Sequence, residues 1–574
     1  MGLCTRIGDF WFMVLWIKKN KIYLILSLGF SLLFLFPYLL QDFVNIEHDT
    51  FFHLSRIEGY AGALSNGKTF PTIYPYKNNN FGYASGLFYC DLFLILPSLL
   101  YLLNVPLSIC YVCGLFLYTY FACLTMFCLL KRFTKDLFVQ IVVCFGYMFA
   151  NYHITNVYVR GSLGEVIAMI FIPIIITGLY DIYEDHKLNH LYVFGLTGLA
   201  LSHNISFLFG VMIVVIYSFC FLKKIQKDQI LYVFKETGWA FLFTLFFILP
   251  IIEQTQYQTL FVNHEMSANI LSSYTIPLWK YFANTTIFGF GEKTLEASQS
   301  MLVNPGYFLS FLPLGYFLIP KKNKNLFTDV SFLLGYFFYL IGSDFIPWQY
   351  LNAFAIIQFP WRNIGISMIL MPISCVVVLD GIKMKQKDLL LTILLIVLGL
   401  EAFYHISPVL SRTFGITSKT SYTDITEGRL TDPYYGNSFF KRVELASANY
   451  LPVNSPDFRT YSTQIKDSNK NDLNVPYEKN YQTLTFSLDE RYINQEIILP
   501  ITSYKGYQVY YQNDKLPTYT SDNGMVAFVA KEKGNYHCTY VGTTFQHITR
   551  IISFTSFVLF IVLMIKNTLV SSTK

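Results

Sequence analysis

The most regular feature of the chain is a series of apolar runs that are long enough, or nearly so, to cross a lipid bilayer. A transmembrane helix needs about 20 predominantly apolar residues. Two runs, at 87–103 and 190–201, are shorter than the others. The longer runs predict spans at 22–40, 108–130, 136–150, 164–180, 205–222, 232–252, 305–320, 326–342, 362–380, 388–404 and 549–565.

Short basic clusters between the apolar runs predict how the chain is oriented. Lys and Arg in short loops favour the cytoplasmic side of a membrane. The clusters at 131–135, 223–227, 321–324 and 383–387, together with Lys566, share that side only if 87–103 does not cross. The sequence therefore predicts about 12 spans, an uncleaved first helix and a cytoplasmic N-terminus. The segments 41–107, 151–163, 202–204, 253–304, 343–361 and 405–548 then share the outer face.

The last of these outer segments has a different pattern, in which apolar and polar residues alternate. Alternation with a period of two is typical of strands that are buried on one face. It occurs in "QTLTFSL", "QEIILPIT", "YQVYYQ", "MVAFVA" and "YHCTYVG", which are separated by turn sequences such as "QNDK" and "SDNG". These features predict an extracytoplasmic β-sandwich domain at 405–548. The bundle then comprises 1–404, with an outer loop at 41–107, and the final helix and cytoplasmic tail comprise 549–574.

The composition supports a membrane protein. Of the 574 residues, 53% are hydrophobic and only 14% are charged, whereas about a quarter of a soluble domain is charged. The net charge of +6 comes from the clusters between apolar runs, so it does not indicate a nucleic-acid partner. A single cysteine, Cys538, in the outer domain fits a bacterial plasma membrane better than a secreted eukaryotic protein.

The outer loop begins with an unusual group of ionisable residues. If 49–66 is helical, Asp49, His53, Arg56 and Tyr60 recur on one stripe, and apolar residues occupy the neighbouring stripe. This spacing predicts a short amphipathic helix along the outer surface, with its charged stripe facing a cavity. A merely solvated face is the alternative interpretation. It fits less well, because interfacial helices favour Lys and Arg whereas this one is preceded by "EHD".

Further polar residues fall at the predicted outer ends of other spans. Ionisable groups at membrane depth are expensive and are usually functional, although some of these residues could be structural pairs, such as Arg160 with Glu165. Their shared position on one side of the membrane indicates a site facing outward. The residues are Arg160, Glu165, His203, Asn204, Glu253, Trp361 and Arg362.

Several of these stretches resemble a known superfamily. The uncleaved first helix, the outer loop that opens with an acid and "YPYKNNNFGYASGLFYCDLFLILPSLLYLL" resemble the GT-C superfamily of integral-membrane glycosyltransferases. Within it, "HDTFFHLSRIEG", "VRGSLGEVIAMIFIPIIITGLY", "LSHNIS" and "FPWR" are similar to the bacterial 6-pyruvoyl-tetrahydropterin-synthase-related membrane proteins. The β segment "LPITSYKGYQVYYQNDKLPTYTSDNGMVAFV" resembles the neighbouring YfhO-like proteins. The resemblance covers nearly the whole chain.

This resemblance implies a GT-C-like polytopic α-helical fold and a function. The expected function is transfer of a sugar from a polyprenyl-phosphate donor to a cell-envelope glycopolymer or glycolipid, outside the cytoplasm. Such a donor has a good leaving group, so the enzyme needs a base and phosphate-binding cations. By position, the catalytic candidates are Asp49 as the base, His53 and Glu165, and the donor phosphate-binding candidates are Arg56, Arg160 and Arg362. The substrate-binding candidates are His48, His203, Asn204, Glu253 and Trp361.

The resemblance leaves the cofactor open and implies certain partners. Asp49, His48, His53 and Glu165 offer ligands for a divalent metal, but GT-C enzymes with monophosphate donors often work without one, so no metal is assigned. The expected partners are the lipid bilayer, the polyprenyl-phosphate sugar, an envelope glycan acceptor, a donor-synthesising glycosyltransferase and a flippase.

Two alternatives fit the same residues. A transporter or flippase for a lipid-linked saccharide would also bury charges in a polytopic bundle, but the spans show no obvious internal repeat of the kind that many transporters carry. A non-catalytic membrane scaffold whose β domain binds glycan is the other alternative.

The topology can be tested by labelling single cysteines. Placed one at a time at positions 104–106 in a cysteine-free background, they should react with an impermeant maleimide added outside the cell. The prediction follows from the five basic clusters, which agree only if 87–103 returns to the outer face. Labelling only after the inner face is exposed would contradict the 12-span topology.

Overall fold

The computed structural model of the chain describes residues 19–41, 43–45, 47–265, 268–282, 301–410, 416–417, 449–458 and 460–572. The N-terminal residues whose cytoplasmic position was predicted, 1–18, lie outside the described residues. So do residues 418–448 of the predicted β domain.

The first of two structural regions is a helical bundle. Residues 19–34 are helical. They are followed by helices Phe36–Leu40, Thr50–Ser65, Ser85–Phe88, Ile95–Leu102, Leu107–Leu130, Leu137–Met148, Asn151–Tyr158, Leu163–Tyr183, Leu191–Ala200, Asn204–Phe221, Lys227–Tyr257, Phe261–Glu265, Ala268–Ser273, Tyr307–Phe311, Leu326–Leu340, Ile364–Gly381, Lys387–Leu410 and Thr544–Ser572. Short 3₁₀ turns occur in the bundle at Leu92–Leu94, Leu278–Phe282, Leu312–Leu318, Lys321–Asn323, Trp348–Tyr350, Asn352–Ile357 and Pro360–Asn363. One more, Glu490–Tyr492, lies in the β region.

Membrane-spanning length is found in part of this bundle. Among the described residues, seven helices are long and apolar enough to cross a bilayer, and the bent pair Leu137–Met148 and Asn151–Tyr158 makes an eighth span if counted as one. Leu92–Leu102, Leu191–Ala200, Tyr307–Leu318 and Leu326–Leu340 are apolar but shorter. At 1.5 Å per residue Leu92–Leu102 rises only roughly 16 Å, about half of a hydrocarbon core. It is therefore too short to cross alone.

Residues of two of the basic clusters predicted to share the inner face form ion pairs with acids at helix ends. Arg132 Nε donates to Asp181 at 2.6 Å, which joins the end of one helix to the end of another. Lys387 Nζ lies 2.8 Å from Asp136 Oδ2. The ion pairs therefore connect loops that the hydropathy pattern placed on one side of the membrane.

The helix predicted at 49–66 is present at Thr50–Ser65, but its surroundings differ from the prediction. It was expected to lie along the outer surface with one charged stripe. Instead residues on several of its sides, among them Phe51, Leu54 and Ala63, are buried. It packs against the Ile95–Leu102 helix on one side, where Ser98 Oγ donates to the Ile57 carbonyl at 3.0 Å. Contacts within the protein therefore cover most of the helix, and it does not have a single exposed charged face.

The second region is a pair of antiparallel sheets near the C-terminus. The strands Lys466–Asp467, Glu496–Thr502, Met525–Val529 and Thr518–Thr520 form one sheet in that spatial order. The strands Tyr477–Asn480, Thr483–Leu488, Gly534–Tyr540, Tyr507–Tyr511 and Asp514–Leu516 form the other. All five alternating runs in the sequence are strands, which confirms the β region. The Lys387–Leu410 helix continues past the predicted boundary at 404. A two-stranded sheet of Phe43–Val44 and Ile416–Thr417 lies apart from these.

The two sheets share one hydrophobic core. Phe486 of one sheet and Phe528 of the other have ring centroids 6.0 Å apart. Leu484, Val509 and Cys538 are fully buried in the same core. The sheets thus pack face to face as a sandwich.

Part of the outer loop completes this sandwich. Tyr74 and Tyr83 pair as an isolated antiparallel bridge, and the "NNN" turn between them has φ angles of 53°, 53° and 67°. Asparagine tolerates this left-handed region better than most residues. The turn delivers Phe81, which is fully buried against Phe458 at 4.7 Å between ring centroids. The Phe81 carbonyl also accepts from Thr502 N at 2.8 Å, so the loop and the β region fold against each other.

Removing the Phe81 side chain should loosen the β region. Phe81→Ala leaves a cavity between the outer loop and the sandwich, and such a change costs about 3–5 kcal/mol. The measurement is hydrogen–deuterium exchange of the strands Glu496–Thr502 and Met525–Val529, which should become faster. Val529→Ala removes a side chain that is 42% exposed and should change exchange little. Equal exchange in both variants would contradict the packing role of the loop.

Candidate functional site

A large cavity lies between one end of the bundle and the β region. Its volume is about 1790 Å³. It brings together eight of the predicted site residues, namely His48, Asp49, His53, Arg160, His203, Asn204, Trp361 and Arg362. The other three predicted residues, Arg56, Glu165 and Glu253, do not line it.

Glu165 lies behind the cavity wall, at the start of the Leu163–Tyr183 helix. Its Oε1 accepts from Arg160 Nη2 at 2.8 Å and from Arg362 Nε at 3.1 Å. Its Oε2 accepts from the hydroxyl of Tyr152 at 2.7 Å. One carboxylate thus holds two guanidinium groups that come from distant parts of the chain.

The two arginines are fixed further by neighbouring side chains. Arg160 Nη1 donates to Asn156 Oδ1 at 2.5 Å, and its guanidinium lies 4.6 Å from the ring of Trp361. Arg362 Nη1 donates to Gln358 Oε1 at 2.7 Å. Arg362 Nη2 makes no hydrogen bond to the described residues. Because two positive charges share one Glu165 carboxylate, only the nearby carboxylate of Asp49, among the described residues, can balance the second charge.

Two glycines explain the sequence "RGSLGE" at this wall. Gly161 has a φ of 59°, and a Cβ there would lie 2.8 Å from Glu47 Oε2. A Cβ on Gly164 would lie 1.6 Å from the hydroxyl of Tyr89. Only glycine allows the backbone to turn and approach these groups so closely. The turn places Arg160 and Glu165 side by side.

Asp49 is positioned by the backbone of the same turn. Its N–H donates to the Arg160 carbonyl at 2.8 Å, and the Thr50–Ser65 helix begins at the next residue. Burial raises the pKa of Asp49 above the usual range for aspartate, although Arg160 and Arg362 oppose this shift. Its carboxylate accepts no hydrogen bond from the described residues, so its lone pairs face the cavity.

His53 is held in its neutral form. Burial, followed by the neighbouring charge of Arg56, lowers its pKa well below the usual range. Its Nδ1 lies 3.0 Å from Arg56 Nη1, and its Nε2 lies 3.2 Å from Leu163 N. A neutral imidazole has only one ring nitrogen with a lone pair to accept a hydrogen bond, so one of these two donors is accepted at a time. His53 is therefore suited to positioning rather than to exchanging protons.

The remaining cavity residues add polar edges and an aromatic wall. His203 caps the Asn204–Phe221 helix, where its Nδ1 accepts from Ser206 N at 3.2 Å, and burial lowers its pKa to about 3. Asn204 Nδ2 donates to the Phe88 carbonyl at 2.9 Å. Trp361 is buried and stacks on Phe359 with ring centroids 5.0 Å apart. His48 lies at the rim and is partly exposed.

Arg56 points away from the cavity, toward an acid that the sequence analysis did not select. Its Nε donates to Asp91 Oδ1 at 2.6 Å, and both side chains are 3% exposed. Its guanidinium also lies 4.2 Å from the ring of Tyr89. The hydroxyl of Tyr74 donates to Asp91 Oδ2. Asp91 is the lone acid in an otherwise apolar run, and the cost of burying such a charge was the signal that could have revealed it.

The β region supplies a second feature that the sequence analysis did not find. Tyr450 lines the cavity and stacks on Phe88, with ring centroids 5.0 Å apart and planes 10° from parallel. Burial raises its pKa to about 12. No local pattern indicates this contact, because the two rings are far apart in sequence.

Glu253 lies elsewhere, at the end of the Lys227–Tyr257 helix. Its Oε2 accepts from Thr543 Oγ1 at 2.8 Å, and its Oε1 lies 3.3 Å from Lys505 Nζ. These contacts join the helix to the segment that leads into the final helix. Its role in substrate binding stays a prediction.

The described residues contain no group of three or more His, Cys, Asp and Glu side chains placed to hold a metal ion. Of the four proposed ligands, Glu165 is already bound by two arginines and a tyrosine. The arrangement can instead bind an anion at Arg160 and Arg362 and accept a proton at Asp49.

No family model matches the chain, and no curated protein matches it.

Replacing Glu165 should destabilise the whole outer end of the bundle. Glu165→Gln leaves two buried arginines without their shared carboxylate, and breaking a buried pair in this way costs about 3–5 kcal/mol. The measurement is the free energy of unfolding of the purified protein in detergent.

Glu253→Gln is the matched control for this variant. Glu253 is 10% exposed, but its one ionic partner among the described residues, Lys505, is 46% exposed, so its loss leaves no buried cation unpaired and should cost less than breaking a fully buried pair. Equal stability of the Glu165→Gln and Glu253→Gln proteins would contradict the role of Glu165.

Proposed function

We propose that this protein is a membrane glycosyltransferase that moves a sugar from a polyprenyl-phosphate donor to a cell-envelope glycopolymer or glycolipid. The observation that carries the proposal is the cavity wall on which Glu165 holds Arg160 and Arg362, with Asp49 facing the same space. The proposal assigns anion binding to the arginines and the role of base to Asp49 in the same cavity.

The charges of the cavity favour a phosphate. Arginine binds phosphate oxygens through paired N–H donors. Arg362 Nη2 makes no hydrogen bond to the described residues, so it can donate to a phosphate oxygen. Glu165 and an ionised Asp49 together balance the two arginines, and the charge of Asp49 is lost when it accepts a proton. The phosphate then becomes the partner of the second positive charge.

The walls of the cavity fit a lipid-linked donor. One side is formed by apolar residues of two membrane helices, among them Phe207, Leu208, Ile248 and Ile251. Leu208 is 38% exposed, and Ile252, at the same wall, is 45% exposed. In a bilayer these side chains contact lipid, so a polyprenyl chain can lie along them while its phosphate reaches the arginines.

In the proposed reaction, Asp49 accepts the proton of an acceptor hydroxyl. The hydroxyl oxygen then bonds to the anomeric carbon, and the bond between that carbon and the phosphate oxygen breaks. The phosphate keeps the electron pair and leaves as polyprenyl phosphate, its charge stabilised by Arg160 and Arg362. A raised pKa makes Asp49 a stronger base than an ordinary aspartate.

The remaining parts of the proposal follow from the resemblance to GT-C enzymes and YfhO-like proteins. The protein is proposed to lie in a bacterial plasma membrane with about 12 spans and its β domain outside. A cytoplasmic glycosyltransferase that makes the donor and a flippase that moves it outward are the proposed partners. The acceptor glycan would approach from the β region, where Asn449, Tyr450 and Ser455 line the cavity.

The test of the proposed base is Asp49→Asn. Asparagine keeps the size of the side chain but cannot accept the proton, and a general base contributes about 10²–10⁴-fold in rate. We expect transfer to fall by at least roughly two orders of magnitude, with expression and donor binding near normal. The assay uses purified protein in nanodiscs, a polyprenyl-phosphate sugar and an envelope acceptor extract.

Arg362→Ala serves as the comparison in the same assay. It should mainly weaken donor binding, by about 2–5 kcal/mol if the charged contact is buried. Full turnover in the Asp49→Asn protein would refute the assignment of the base. Unchanged donor binding in the Arg362→Ala protein would refute the phosphate site.

A further inference from the structure

A smaller crevice opens at the outer end of the final helix, away from the cavity. It lies between residues 69–72, residues 86–92, the Phe246–Pro250 part of the long helix and the first turns of Thr544–Ser572. Its volume is about 30 Å³. A cavity must have a volume of at least about 10–15 Å³ to hold one water molecule. The crevice can therefore hold a small polar group.

Arg550 lines this crevice without a counter-charge. It forms no ion pair and no hydrogen bond with the part of the chain that the structure describes, and it is partly buried. The next residue, Ile551, is 65% exposed, and Phe554 is 72% exposed. These apolar side chains face lipid if the helix spans the membrane. A charged residue at this depth is costly and is usually paired, which indicates that Arg550 has a partner outside the described residues.

Gln546 provides a second unsatisfied donor in the same crevice. Its side chain is 1% exposed, and its Oε1 accepts from the hydroxyl of Tyr540 at 3.0 Å. Its Nε2 has no hydrogen-bond partner among the described residues. An unsatisfied buried donor costs about 1–3 kcal/mol. Two donors without acceptors in one crevice favour a ligand that only accepts hydrogen bonds.

The acids near this crevice do not supply that acceptor. Asp91 also lines the crevice, but its oxygens accept from Arg56 and Tyr74. Glu253 is bound by Lys505 and Thr543. The positive charge of Arg550 is therefore not cancelled within the described residues.

We propose that the crevice binds the phosphate of a lipid headgroup in the leaflet on the side of the β region. Phosphate offers acceptor oxygens and negative charge to Arg550 and Gln546. A lipid is favoured over free phosphate because exposed apolar side chains flank the site, including Phe70, which is 54% exposed. The proposal is independent of glycosyl transfer, since the crevice is separate from the cavity that contains Asp49.

The test measures lipid binding by native mass spectrometry of the full chain in a nonionic detergent. The probes are phosphatidylglycerol, a diacylglycerol with the same acyl chains, and inorganic phosphate as a competitor. The wild-type protein should retain phosphatidylglycerol in preference to diacylglycerol. Arg550→Gln should weaken phosphatidylglycerol binding by about tenfold or more, as expected for losing a charge-assisted contact, and leave diacylglycerol binding unchanged.

Matched variants separate charge from folding. Arg550→Lys keeps the charge and should bind nearly as well as wild type. Gln546→Glu keeps the size and places a negative charge in the crevice, so it should also weaken phosphatidylglycerol binding. If Arg550→Gln does not fold, the Gln546→Glu protein tests whether the crevice binds the lipid phosphate. Lys566→Gln, at the other end of the same helix, should have no effect.

Three results would overturn the proposal. One is equal phosphatidylglycerol binding in the wild-type, Arg550→Gln and Gln546→Glu proteins. Another is an equal loss in Lys566→Gln, which would indicate non-specific attraction to the helix. The third is displacement of phosphatidylglycerol by inorganic phosphate at equal concentration, which would show that the crevice recognises free phosphate and not a lipid.

Discussion

The end of the bundle next to the β region depends on one buried carboxylate, that of Glu165. Taking a carboxylate out of water costs several kcal/mol unless other groups replace the lost hydration. Arg160, Arg362 and Tyr152 do so, at distances of 2.8, 3.1 and 2.7 Å. The same contacts tie the turn before the Leu163–Tyr183 helix to the start of the Ile364–Gly381 helix. They also orient both arginines along the wall of the large cavity, so folding and the proposed anion binding share one set of interactions.

A second buried pair links this wall to the β region. Arg56 lies within the Thr50–Ser65 helix and Asp91 just before the Leu92–Leu94 turn, and both are almost completely buried. Between them the chain makes the turn that inserts Phe81 into the β sandwich. The sandwich in turn places Tyr450 over the cavity. The outer loop therefore acts as the structural connection through which the membrane bundle and the β region form one site.

The elements of this fold could be predicted from the sequence far better than its contacts. Apolar length predicted the seven helices of spanning length and the bent pair among the described residues, and alternation predicted the strands, because each depends on residues close together in the chain. The predicted spans at 305–320 and 326–342 correspond to shorter helices. Arg160 and Glu165 could be paired in advance for the same reason. The Arg56–Asp91 and Glu165–Arg362 pairs could not, because a choice among many acids and bases depends on tertiary packing. The helix that was predicted to lie on the surface at 49–66 is buried because distant segments cover it. Its own residues could not show that these segments pack against it.

The central claim is that the Arg160 and Arg362 wall binds the phosphate of a lipid-linked donor beside Asp49. The most direct measurement is an experimental density map of the protein in nanodiscs with bound polyprenyl phosphate. The account predicts phosphate density within hydrogen-bonding distance of Arg362 Nη2, with the lipid chain along the wall formed by Leu208 and Ile252. Phosphate density only at Arg550, or lipid density in the cavity with its phosphate remote from both arginines, would contradict it.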